Sequence, residues 1–219
     1  MRLFSYKLNA DTGFAPNPFW GVLTLATCKP GIRRAKRQGD WIGGFTSWTL
    51  NRDKVGEERL IFLMQITDII DQYEYFNHPD PIFRAKIPDC ARPEFVYHAG
   101  DNIYRPLTNR PQDPSDFEQL RNANHWDFDN DFEDECQKIK DLSGRRVLVS
   151  SKFYYFGGKP REVPPGVRPT IPPGQAQHGF KTHVMRARTF VEWVQGNFDR
   201  GVVAAPHKWR RCDPSWQKG

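Results

Sequence analysis

The sequence predicts an α+β domain built around a small, strongly bent sheet or barrel, with one helix near the C-terminus. Three observations predict it: short β-rich runs recur along the chain, a single stretch has a clear helical period, and there is no internal repeat. A length of 219 residues suits one domain spanning 1–219. Aromatic residues make up 14% of the chain, so a mean hydropathy of −0.72 still leaves large apolar side chains for a packed core.

The elements follow in order. "RLFSYKL" (2–8) alternates as a strand does, and Asn9 to Gly13 is turn-like. The prolines of "FAPNPF" make a rigid loop before the β-rich run "WGVLTLAT" (20–27). A cationic turn then leads into "DWIGGFTSWTL" (40–50), a strand whose paired glycines predict a bulge or a close backbone approach. "RLIFLMQITDII" (59–70) is apolar enough for a buried central strand. "QYEYFNHPDPIFR" (72–84) holds a short helix interrupted by Pro79 and Pro81, and "GRRVLVSSKFYYFGG" (144–158) gives a turn, a strand and an aromatic corner. Residues 160–174 are a proline-rich extended loop. In "HVMRARTFVEWVQGNF", Ala187, Phe190, Val191, Val194 and Phe198 fall on one helical face.

Several classes are excluded. The longest strongly apolar run, Leu60 to Met64, is far too short to span a bilayer, and "MRLFSYKLNAD" has no secretory core. There is no GxxxxGK[ST], no GxGxxG after a strand and no GxSxG. Cys28, Cys90, Cys136 and Cys212 are scattered without a CxxC pair, which predicts reduced thiols, a cytoplasmic location and no metal centre. "DFDNDFEDE" (127–135) imitates a calcium loop, but Phe132 stands where Gly is required and Lys138 where a bidentate Glu is required. His178 and His183 are five apart, off one helical face and without an HExxH glutamate.

Charge points to a polyanionic partner. The net charge is +6, yet nine acidic residues and only one basic residue lie between Asp113 and Cys136, so the rest of the chain is more basic still. Lys29, Arg33, Arg34, Lys36 and Arg37 crowd a turn beside Phe14, Phe19, Trp20, Trp41, Phe45 and Trp48. Cations there would attract phosphate, with arginine able to hold it bidentately, and rings would stack on bases. "HAGDNIYRP" (98–106) gathers Asp101, Asn102, Tyr104 and Arg105, a mix suited to base edges, proton transfer and phosphate. His178, after the proline-rich loop, suits a substrate contact or an acid/base.

"APNPFWGVLTLATCKPGIRRAKRQGDWIGGF", "GDNIYR", "RVLVSSKFYYFGG" and "GQAQHGFK" together resemble the nucleotide modification associated domain 2 family from about Met1 to Trp209. That family occurs in phages and bacteria near genes that alter nucleic-acid bases. The resemblance implies a DNA, RNA or modified-nucleotide partner and names no cofactor. The "KPGIRRAKRQGDWIGG" turn also looks like that of PUA-like domains, including the ASCH and EVE groups, which implies a pseudo-barrel with Lys29, Arg33, Arg34, Asp40 and Trp41 bordering its pocket. The acidic segment at about 113–136 looks like an insertion. Three readings stay open: a module binding nucleic acid or a modified nucleotide; an enzyme of transferase or hydrolase type using Asp101, Tyr104 and His178; and a protein-interaction domain.

Overall fold

A computed structural model describes residues 1–213. In chain order the elements are β1 (Leu3–Lys7), β2 (Leu23–Leu25), α1 (Pro30–Ala35), β3 (Trp41–Phe45), α2 (Trp48–Asn51), β4 (Leu60–Gln65), β5 (Asp68–Asp71), α3 (Gln72–Phe76), α4 (Pro81–Arg84) and α5 (Phe95–His98). There follow β6 (Tyr104–Pro106), β7 (Phe117–Gln119), β8 (Trp126–Asp127), β9 (Phe132–Glu133), α6 (Glu135–Leu142), β10 (Arg146–Ser150), β11 (Lys152–Tyr155), β12 (Phe180–Thr182), α7 (Val184–Asn197) and β13 (Gly201–Val202). The architecture is α+β.

A bent two-stranded ribbon organises the molecule. The apolar run at 59–70 is two strands, β4 and β5, and the run after Gly144 is likewise β10 and β11. β4 pairs antiparallel with β11, and β5 pairs antiparallel with β10. The ribbon therefore passes continuously from one sheet to another, turning at Thr67, whose amide donates to the Val149 carbonyl (2.9 Å), and at Ser151, whose amide donates to Thr67 Oγ1 (3.0 Å). On one side grows a six-stranded sheet of order β12-β1-β3-β4-β11-β13, and on the other a three-stranded sheet of order β2-β10-β5. The α+β class and the small sheets are as expected. The pseudo-barrel is not found: the sheets do not close on each other among the described residues.

Each strand of the ribbon divides its side chains between two cores, as period-two geometry requires. In β11, Phe153 and Tyr155 face the inside of the bend with Tyr6, Leu25, Ile42 and Met64, whereas Tyr154, and Phe156 just after the strand, face α7. Ala187, Phe190, Val191 and Val194 of α7 are buried against that second face, and Phe198 is half-buried as the residue after the helix. β4 contributes to both cores, which explains its unbroken apolar run. The paired glycines do what was expected of them. The register shifts between Gly44 and Phe45, and a Cβ on Gly44 would lie 2.0 Å from the Phe62 ring.

Three local expectations are corrected. The cationic segment after Cys28 is a short helix, α1, because Pro30 fixes a helical φ at its start and Lys29 before it turns left-handed (φ 41°). The strand predicted over 40–50 stops at Phe45, where Ser47 caps α2 by accepting from the Leu50 amide. Not all thiols are free: Cys90 and Cys212, 122 residues apart, form a disulfide. Sequence spacing carries no sign of two residues that only tertiary folding brings together. Within the proline-rich stretch, Pro165–Val167 makes a single 3-10 turn. No helix among the described residues is long and apolar enough to cross a membrane.

Candidate functional site

The cations of the basic segment are sent to different places. Arg33 is fully buried; its Nε donates to the Cys28 carbonyl (2.8 Å), and its other nitrogens donate to the carbonyls of Arg146 (3.0 Å) and Asp141. It is a strut, and its room is made by Gly144, where a Cβ would lie 2.7 Å from the guanidinium carbon. Arg34 points outward and donates to the Ser143 carbonyl at 3.2 Å. Lys36 Nζ lies 3.7 Å from the centre of the Phe4 ring. Asp40 is buried, pairs with Arg2 at 2.6 Å and accepts from the Arg37 amide at 3.0 Å. Trp41 is sealed in the core beneath α7. Of the residues expected to border a pocket, Lys29 lines the cavity described below.

The "HAGDNIYRP" residues are mostly interior. Asp101 is fully buried, accepting from Thr24 Oγ1 (2.7 Å) and Tyr75 OH (2.8 Å). Asn102 is buried and donates to the carbonyls of Tyr75 (3.1 Å) and Phe83 (3.0 Å). Arg105 is exposed and paired with Glu118. His178 is exposed, lying against α1 where a Cβ on Gly31 would approach its Nδ1 to 2.6 Å. Tyr104 is buried too, but it leads to the site: its hydroxyl donates to Asp141 Oδ2 at 2.9 Å.

Between β1, the start of α1, the end of α6 and the segment before β12 lies a cavity of about 630 Å³. Tyr6, Cys28, Lys29, Lys140, Gln175 and Gln177 are on its wall. Lys7 lines it also, but is neutralised by Glu58 at 2.6 Å. Lys29 and Lys140 take part in no salt bridge among the described residues. Burial holds Lys29 below its ordinary pKa and the charge of Lys140 adds to this, against the charge of Cys28. Lys29 Nζ sits 5.0 Å from the Tyr6 ring centre and 3.2 Å from Gln175 Oε1. The Tyr6 hydroxyl is buried without a hydrogen-bond partner among the described residues, and burial first, then the charges of Cys28 and Asp11, keeps it protonated.

At the cavity wall, Cys28 Sγ lies 3.4 Å from His125 Nε2, and His125 Nδ1 lies 2.8 Å from Asp141 Oδ2. Asp141 Oδ1 accepts the Cys28 amide at 2.6 Å, so the carboxylate holds both ends of the group. Burial disfavours charge on His125, but the Cys28 charge and the Asp141 carboxylate outweigh it and the ring is pushed up to about 10. Burial likewise opposes ionisation of Asp141, yet His125 first, with Arg33 and Tyr104, holds its carboxyl below the ordinary range. The three side chains are near enough to be considered as metal ligands. However, sulfur and carboxylate address opposite nitrogens of one ring, which is a proton relay and not a convergent chelate.

The sequence model for nucleotide modification associated domain 2 matches residues 1–213. The chain belongs to the nucleotide modification associated domain 2 family. No curated protein and no solved structure matches it. The nucleotide modification associated domain here takes in the whole acidic segment, which supplies His125 directly and leads into α6 with Asp141 and Lys140. It is therefore part of the site and more than a solvated face. Cys28, His125 and Asp141 escaped the sequence reading because they are 97 and 16 residues apart and form no motif. The available signal was a cysteine two residues before Pro30, in a chain that also carries histidines and acids.

Proposed function

We propose that the protein binds a nucleotide, free or within a DNA or RNA strand, in the cavity beside Cys28 as part of base modification. The observation that carries this is the pair of lysines, Lys29 and Lys140, facing one cavity without acidic partners, above the wall formed by Tyr6. A phosphate would neutralise both and offset the burial, and the lesser repulsion from Lys140, that lower Lys29. A cavity of about 630 Å³ is in the range that encloses a ligand of nucleotide size. Membership of a family named for nucleotide modification supports the ligand class. Phosphate recognition thus passes from Arg33 and Arg34 to Lys29 and Lys140, and Tyr6 offers a ring and a donor to the base. Gln175 and Gln177 supply amide groups for base edges.

Calorimetry with deoxynucleoside monophosphates and a short single strand tests this. A charge-assisted hydrogen bond contributes about 1.5–3 kcal/mol, so Lys29→Ala with Lys140→Ala should weaken binding by about tenfold or more. Arg34→Ala should leave mononucleotide affinity within about twofold, because its side chain is exposed and is not on the cavity wall. If the double lysine variant binds as the unaltered protein does, the cavity is not the phosphate site. A steeper salt dependence for the strand than for the mononucleotide would identify a strand as the ligand.

A further inference from the structure

Binding a nucleotide does not require a thiol on an imidazole. Here the sulfur end of the relay opens on the cavity, while Asp141 at the other end is fully buried and Tyr104, the Cys28 amide and His125 saturate its oxygens. Arg33 ties the Cys28 carbonyl to that of Asp141, which fixes the thiol relative to its base. This is the organisation of an activated nucleophile: a reactive atom at the cavity, a base within reach, and a third group orienting the base.

We propose that Cys28 is a catalytic nucleophile that adds through Sγ to ring carbon C6 of a pyrimidine nucleotide, with His125 as its acid/base and Asp141 as the residue that positions His125. The proposal deepens the nucleotide-binding reading and rests on it. A thiolate is a soft nucleophile, and among the bases a pyrimidine offers a C5=C6 double bond conjugated to a ring carbonyl or its amidine equivalent. With the proton held on the His125 ring and the electron pair on Sγ, the S–C6 bond forms as the C5=C6 π bond opens, and that π pair moves through C5 onto the conjugated C4 system. Return of the proton from His125 to C5 gives the 5,6-dihydro thioether, and the reverse steps release an unchanged base. Atoms and electrons balance without an oxidant, a reductant or a second substrate. The adduct makes C5 nucleophilic, the property that modification at that carbon needs.

Two details favour ring addition over acyl transfer. Acyl transfer needs donors for an oxyanion, and the nearest, the Cys28 amide, is already given to Asp141 at 2.6 Å. What remains free is the Tyr6 hydroxyl, buried on the same cavity wall as Cys28, without a partner among the described residues, and kept protonated first by burial and then by the charge of Cys28. A neutral donor of that kind suits an exocyclic oxygen that gains charge on addition.

The reversible half-reaction can be read alone. The full chain, carrying Cys136→Ser to remove the exposed free thiol, is incubated with dUMP, dCMP or a single strand containing both bases in deuterated buffer. Loss of the pyrimidine H5 proton signal is followed by NMR, and binding of the same ligands is measured by calorimetry. Exchange of H5 is expected, abolished by Cys28→Ser with affinity held within about threefold, and slowed by about 100-fold in His125→Gln. Asp141→Asn should slow exchange and move its pH profile, a change that a purely structural loss would not produce. Binding without exchange at any pH from 6 to 10, or exchange that survives Cys28→Ser, overturns this inference and leaves the binding reading intact. Absence of binding by all three ligands overturns the binding reading and this inference with it.

Discussion

Replacing Asp101 with alanine should cost a large part of the fold's stability. Asp101 has no exposed surface and sits between Thr24 Oγ1 and Tyr75 OH, with buried Lys86 as its countercharge. Lys86 itself donates to the carbonyls of Asn17, Phe19 and Val22 at 3.0–3.1 Å, which tie the loop before β2 to the segment after α4. Truncation strands two hydroxyls and an ammonium whose burial already draws its pKa down to about 7. Removing one partner of a buried pair costs about 3–5 kcal/mol. For a domain of this size each kcal/mol moves Tm by about 2–4 °C, so a fall of about 6–20 °C follows. Thermal unfolding by circular dichroism measures it, and the Asp101→Ala, Lys86→Met double variant should lose less than the sum of the two single changes. Asp101 is not on the cavity wall, so nucleotide affinity measured well below Tm should persist. A Tm within about 2 °C of the unaltered protein would refute the assignment of Asp101 to the core and return it to consideration as a catalytic group.

Other perturbations follow from the same contacts. His125 holds its proton more tightly folded than unfolded, so its contribution to stability is complete below about pH 6.5 and is lost as the pH climbs through about 10. In Cys28→Ala that alkaline loss should move to lower pH, which urea unfolding across pH 6 to 10.5 would show; an unchanged profile would mean that Cys28 does not hold the charge on the ring. Gly144→Ala should displace the Arg33 guanidinium, lowering Tm and slowing alkylation of Cys28 together, whereas alkylation at the original rate would separate Arg33 from the thiol's placement. Reducing the Cys90–Cys212 disulfide, which closes a loop across 122 residues, should cost about 2–5 kcal/mol in urea unfolding and leave nucleotide binding unaltered at low temperature.

What the sequence by itself determined was local. The apolar face of α7 was legible because Ala187, Phe190, Val191 and Val194 keep a helical period whatever they pack against. The paired glycines at 43 and 44 announced the close approach of Phe62 because only a residue without Cβ leaves that space. The family was legible for a related reason: long ordered blocks such as "APNPFWGVLTLATCKPGIRRAKRQGDWIGGF" are themselves local strings. Burial and pairing were not. A cluster of charge does not say which member faces solvent, and tertiary packing turned Arg33 inward as a strut while leaving Lys29 at the cavity. Asp101 and Tyr104, three residues apart, went to different networks, one with Lys86 and the other with Asp141. The bent ribbon brings β10 against β2, and so sets the end of α6, just before β10, beside the Cys28 loop just after β2. That folding-back, absent from any window of sequence, put sulfur, imidazole and carboxylate in one line, because side chains far apart along a chain meet only where the backbone returns.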